Sequence, residues 1–204
     1  MTVLQKPVMG VIMAGGKSTR MGRDKATLLI NAKIHAKGVR LIDHVADVIS
    51  DVIEPFGGEV VVSGNVDGYL CVSDRQADIG PIGGMWSVIS SFAHALVEWF
   101  LFVPVDMPLL EVELLMKLVH ASRHERDAEA IMFSGYQLPL MLRNSPVVVN
   151  ALEAMCLRGS GSQRSINELL GRIRVDCIDV PEGSKRAFNN LNTPEEWRNE
   201  YSSF

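Results

Sequence analysis

Cysteine is scarce in this sequence and shows no sign of pairing. Cys71, Cys156 and Cys177 are an odd number, widely spaced, with no C-x-x-C, which argues against a disulfide framework and a thiolate zinc site and fits a reducing cytosol. Long apolar runs are missing too. The stretch from Val8 to Ala14 is interrupted at once by glycines, Lys17 and Arg20, so it is too short to span a bilayer and lacks the cleavage region of a signal peptide. Positive charge is not in excess. A net charge of -4 without a basic run leaves no general attraction to nucleic acid or to an anionic membrane. Internal repeats and low-complexity segments are also absent.

What remains is globular: 204 residues, 47% hydrophobic and 22% charged, enough for one substantial α/β domain. Strand-like apolar runs at Val8–Ala14, Glu59–Ser63, Tyr69–Val72, Phe100–Val105, Ala130–Phe133 and Val175–Val180 alternate with segments of helical period. That alternation predicts a mostly parallel sheet with helices packed on its faces. Leu41, Val45, Val48, Ile49, Val52 and Ile53 form one helical stripe, and Met85, Val88, Ile89, Phe92 and Leu96 a second. Val147–Leu157 and Ser165–Ile173 read as further helices, separated by a Gly/Ser-rich turn or substrate loop at 158–162. Pro139–Arg143 reads as a short strand suited to antiparallel pairing, and Thr193-Pro194-Glu195-Glu196 as the capped start of a terminal helix.

The segment Ala14-Gly15-Gly16-Lys17-Ser18-Thr19-Arg20-Met21-Gly22-Arg23-Asp24-Lys25 leaves the end of the first predicted strand, where open α/β sheets bind ligands. Adjacent glycines let backbone N–H groups approach phosphate oxygens, and Arg20 and Lys25 bring positive charge. A P-loop fails by one position, because Gly16 stands where lysine is required, and G-x-G-x-x-G is absent. Asp106 ends the apolar run Phe100–Val105, so a carboxylate stands at the sheet's edge, fit either for Mg²⁺ or for a helix N-cap near Leu109. His120, His124 and Glu125 could share a helix face, yet they read as solvated surface.

The Ala14–Lys25 loop resembles the signature of the molybdenum cofactor guanylyltransferases. The resemblance extends to Gly80-Pro81-Ile82-Gly83-Gly84-Met85, Val103-Pro104-Val105-Asp106-Met107-Pro108 and Asn190-Leu191-Asn192-Thr193-Pro194-Glu195-Glu196, in order and approximate spacing along the whole chain. It implies a three-layer, Rossmann-like nucleotidyltransferase fold over residues 1–204, with nucleotide bound by the N-terminal half and acceptor by the C-terminal half. It further implies transfer of GMP from GTP to molybdopterin, with release of pyrophosphate and Mg²⁺ as cofactor. Molybdenum-cofactor biosynthesis proteins or molybdoenzymes are the implied partners.

By the same resemblance, Met13, Ala14, Gly15, Gly16, Lys25, Asp74 and Asp106 would contact nucleotide. Arg20, Lys25 and Asp106 would be catalytic, Asp106 the metal ligand, and Arg164, Asn190 and Asn192 the acceptor contacts. Asp74 suits guanine because a carboxylate accepts from that base's N–H groups. Asp78 is a second candidate for the base or ribose. Two departures stand out. Ser63 replaces a usual asparagine, although Asn65 is kept, and Leu138 replaces the usual His or Gln before Pro139. Transfer from CTP, another phosphorylated acceptor, and a non-catalytic nucleotide or pterin binder are therefore the competing expectations.

Overall fold

The computed structural model describes residues 7–15, 25–30, 38–76, 78–125 and 127–191. Its centre is β1 (Val8–Met13), flanked by β4 (Val60–Ser63) and β6 (Trp99–Pro104), both parallel to it. Outside these lie β5 (Cys71–Val72) on one side, and β8 (Leu140–Arg143), β7 (Ala130–Phe133) and β9 (Val175–Ile178) on the other. The order is β5-β4-β1-β6-β8-β7-β9. Only β8 runs antiparallel to its neighbours, as the short-strand reading of Pro139–Arg143 expects.

Strands buried on both faces read as unbroken apolar runs, and the two faces divide them evenly. Val8, Ile12, Trp99, Leu101 and Val103 join a core with α1 (Leu41–Ile53) and α3 (Val112–His124). Met9, Val11, Phe100 and Phe102 join the opposite core with α2 (Pro81–Ser91), α4 (Pro146–Arg158) and α5 (Ile166–Leu170). Helices thus cover both faces of the sheet. Among the described residues no helix is long and apolar enough to cross a membrane.

The helical stripes hold with two corrections. The first stripe is α1. In the second, α2 stops at Ser91 with Phe92 as its C-cap, and Leu96 lies beyond it, 81% exposed; helical spacing continued there without a helix to use it. The expected helix over Ser165–Ile173 is shorter, because the helical segment ends at Leu170. The Gly/Ser-rich segment is a turn: Gly161–Arg164 forms a 3-10 turn closed by a capping box between Ser160 and Gln163. The terminal helix from Thr193 falls outside the described residues.

Gly10 shows how tightly the central layer is drawn. A Cβ at this position of β1 would sit 2.3 Å from Cγ2 of Ile49 and 3.0 Å from Cδ1 of Ile53, both on the buried stripe of α1. Gly10→Ala is expected to cost about 1–3 kcal/mol, the usual penalty for overpacking a close-packed core. Urea denaturation measures it, and an unchanged midpoint would contradict this packing.

Candidate functional site

Strand direction places the site. Because β1, β4, β5 and β6 are parallel, the segments following them all emerge at one edge, and the chain leaves β1 for α1 on one face but β5 for α2 on the other. Such a switch point opens a crevice at the strands' carboxyl ends. Ala14 donates its N–H to the Ser63 carbonyl at 3.0 Å, and Val105 donates to the Met13 carbonyl at 3.2 Å. These bonds fix the exits of β1, β4 and β6 side by side.

A cavity of about 590 Å³ lies there. Met13, Gly15 and Ser63 form its strand side, Asp74 and Asp78 its acidic side, and Gly80, Pro81 and Gly84 bring in the first turn of α2. Its size falls within the range of small-molecule sites. Pro81 occupies the first helical turn after the Gly80 N-cap, so this end of α2 offers backbone N–H groups and its positive dipole to the cavity. The charge is uneven: none of the described lining residues is basic, while two carboxylates sit together.

The block at 80–84 opens α2, and Gly83 and Gly84 are buried within that helix. A Cβ at Gly84 would stand 2.5 Å from Oγ of Ser63 and 3.5 Å from Oδ1 of Asp74, so a missing side chain lets α2 press against the end of β4. Ser63 is itself buried, whereas Asn65, the retained member of that pair, is exposed.

Asp74 is held by its neighbours. The next residue, Arg75, donates its backbone N–H to Oγ of Ser87 at 2.9 Å, and that hydroxyl donates to the Gly83 carbonyl at 2.8 Å. The Arg75 guanidinium also lies over the Trp86 ring at 5.5 Å. Desolvation against the cavity wall raises the Asp74 pKa above the usual carboxylate value.

Asp106 stands just past the end of β6, half-buried, between buried Val105 and Met107. The helix-cap reading fails, since α3 starts only at Val112 with Glu111 at its N-cap. A carboxylate at a strand exit fits a hard cation that takes one or two protein oxygens and otherwise phosphate and water. No group of three or more His, Cys, Asp and Glu gathers as a metal cage among the described residues. Asp106 does not line the 590 Å³ cavity; it flanks it across the β1 exit.

The acceptor-side residues are placed unequally. Leu191 donates its N–H to the Asp106 carbonyl at 2.9 Å, so exposed Asn190 lies beside the metal candidate. Sequence alone offered no sign of that bond. Arg164 instead turns back onto α4, its Nη2 donating to the Cys156 carbonyl at 3.1 Å, which is the helix-end role of a cation. His120 packs against the Phe56 ring, in keeping with a surface role. Gly16, Arg20 and Asn192 lie outside the described residues, and Lys25 is described in its backbone alone. It opens a 3-10 turn, Lys25–Thr27, next to fully buried Ala26.

Residues 10–173 match the family model described as a MobA-like NTP transferase domain. A molybdenum cofactor guanylyltransferase of Xanthomonas euvesicatoria is 37% identical over 95% of this chain and 94% of its own. One from Vibrio campbellii is 30% identical over 91% of each. Among solved structures, molybdopterin-guanine dinucleotide biosynthesis protein A from Archaeoglobus fulgidus superposes with a TM-score of 0.69 at 21% identity, covering 96% of this chain and 97% of that one.

Proposed function

This chain belongs to the MobA-like NTP transferase family, and on that premise we propose that it transfers GMP from GTP to molybdopterin, forming the guanine dinucleotide cofactor and releasing pyrophosphate. The observation that carries the reading is the edge cavity: an acidic end at Asp74 and Asp78, a backbone end at Gly15, and Asp106 beyond it. A purine with N–H donors suits the acidic end. The triphosphate, repelled by those carboxylates, is directed toward Gly15 and the basic loop residues Arg20 and Lys25.

A phosphate of the acceptor attacks the α-phosphorus of GTP in line, and pyrophosphate leaves; no covalent enzyme intermediate is needed. Bound Mg²⁺ would neutralise triphosphate oxygens. Asp106 would hold that ion, while backbone N–H groups at Gly15 and Gly16 would position the phosphates and Lys25 and Arg20 would balance charge as the bond breaks. Asn190 and Asn192 are the acceptor contacts in this reading, together with Arg164 of the same C-terminal half. The three free thiols suit a cytosolic enzyme.

Asp74 sets base choice in this reading. Its ionised form must accept from guanine, and its pKa is raised by desolvation, so GTP affinity should fall on acidification at a higher pH than an ordinary carboxylate would dictate. Asp74→Asn should remove that pH dependence and weaken GTP binding by about ten- to a hundredfold, the scale of a lost charged hydrogen-bond acceptor. The linkage sign supplies a second check. A carboxylate with a raised folded-state pKa opposes folding once ionised, so the variant should be no less stable than wild type near neutral pH. Unaltered, pH-independent GTP binding by calorimetry would remove Asp74 from the base site.

The decisive assay offers GTP, CTP, ATP and UTP with Mg²⁺ and molybdopterin and follows pyrophosphate and the dinucleotide. GTP alone should support turnover. Preference for CTP would reassign the base, and GTP binding without pyrophosphate release would make the chain a binder.

A further inference from the structure

His44, in the first turn of α1, points its Nε2 at the Pro108 carbonyl, 2.9 Å away. A carbonyl can only accept, so the imidazole carries its proton on Nε2 and donates. Pro108 lies two residues beyond Asp106. Around this bond are apolar groups, Val45, Val48, Val103, Met107, Leu110 and Leu115, with almost no free space between them. A hydrogen bond in such surroundings is strengthened by the low dielectric, and its loss leaves an unsatisfied carbonyl.

The helix turn that carries His44 is itself fixed. Asp43 accepts both arms of Arg40, at 2.9 and 2.7 Å, and the Tyr69 hydroxyl at 2.8 Å. Arg40 also donates to the Asp67 carbonyl at 3.2 Å. On the other side, Arg40 pairs with Leu29 in the small antiparallel β2 (Leu29–Ile30) and β3 (Val39–Arg40), and Leu41 donates to the Leu28 carbonyl at 2.8 Å. One helix turn therefore grips the chain just after Lys25, the β4–β5 connection, and the segment following Asp106.

We propose that His44 is a positioning residue for the reaction: from a clamped turn of α1 it fixes the Asp106 segment through Pro108, so that the Asp106 carboxylate is held where it meets Mg²⁺ and the triphosphate. The inference rests on the reading of Asp106 as the metal ligand. Leu191, bonded to the Asp106 carbonyl, secures the same segment from the C-terminal side. The segment is thus held from α1 as well as from the C-terminal side.

Calorimetric titration of the full chain with GTP, with and without Mg²⁺, reads how much the ion adds to nucleotide affinity, independently of turnover. His44→Ala should lose about tenfold of that Mg²⁺-dependent gain, the order of one hydrogen bond, and leave metal-free GTP affinity within about twofold. Its kcat should fall by a similar factor with little change in the KM for GTP. His44→Gln, whose amide nitrogen reaches a similar position, should restore both. An undiminished Mg²⁺ gain in His44→Ala overturns the positioning role while leaving the proposed function intact. Equal loss in the Ala and Gln variants, with equally lowered thermal midpoints, also overturns it and makes His44 a packing residue. A wild-type chain that gains nothing from Mg²⁺ refutes the metal reading of Asp106 and this inference with it.

Discussion

Asp106→Asn should reduce turnover by about 10²–10³-fold, the scale seen when one preorganised electrostatic group is removed from a reaction centre, with the thermal midpoint little changed. The substitution keeps the size of the side chain and removes its charge. Backbone contacts would persist, because the Leu191 N–H bonds to the Asp106 carbonyl and not to its carboxylate. The loss should lie in kcat and in the Mg²⁺ concentration needed for half-maximal rate. Base selection should stay with GTP, since Asp74 and Asp78 are on the opposite side of the β1 exit. Steady-state pyrophosphate release across a Mg²⁺ series checks this. Turnover close to wild type at ordinary Mg²⁺ would remove Asp106 from the metal role.

Removal of the Lys25 ammonium is the second large effect. Lys25→Ala should lower kcat by about 10²–10³-fold, because a point charge at the triphosphate acts on charge that grows as pyrophosphate departs. Its backbone has a defined place: it begins the turn Lys25–Thr27, followed by Ala26 with no exposed surface and by the Leu28 carbonyl bonded to Leu41. Lys25→Arg should recover only part of the rate, since a planar guanidinium spreads the same charge over a wider fork. Pre-steady-state release of pyrophosphate separates chemistry from product release. A folded Lys25→Ala protein with wild-type kcat would sink the proposed mechanism.

The two acids differ in what makes them useful. Desolvation at the cavity wall holds the Asp74 pKa above that of a free carboxylate. Asp106 owes its position to the end of a strand buried along its whole length. In the proposed reading that division orients the nucleotide, base at α2 and phosphates toward β1 and β6. At Gly84 an added methyl would press on Oγ of Ser63, with Asp74 only at van der Waals contact.

Much of the architecture was legible in the sequence because strands buried on both faces must be apolar throughout and helices must carry one apolar stripe. Ala130–Phe133 and the α1 stripe appear as read. The same logic overreached at Leu96, where apolar spacing continued past the end of α2 into exposed chain. The chemical types at the site, Gly15, Asp74 and Asp106, could also be picked out, as they follow apolar strands at the edge where parallel sheets bind ligands. Contacts between distant segments could not. Nothing in the neighbours of His44 points 64 residues ahead to Pro108.

The order of apolar and polar residues, by itself, settled that this chain builds a mostly parallel sheet and where its loops bear charge and glycine, since burial and backbone freedom are decided residue by residue. Tertiary structure alone decided which loops meet. It set Gly84 against Ser63 and turned Arg164 onto α4 rather than outward. It also tied Leu191 to Asp106 and His44 to Pro108. Those pairings depend on strand order and on the face each helix takes, quantities set by the packing of the whole sheet, which no local run of sequence encodes.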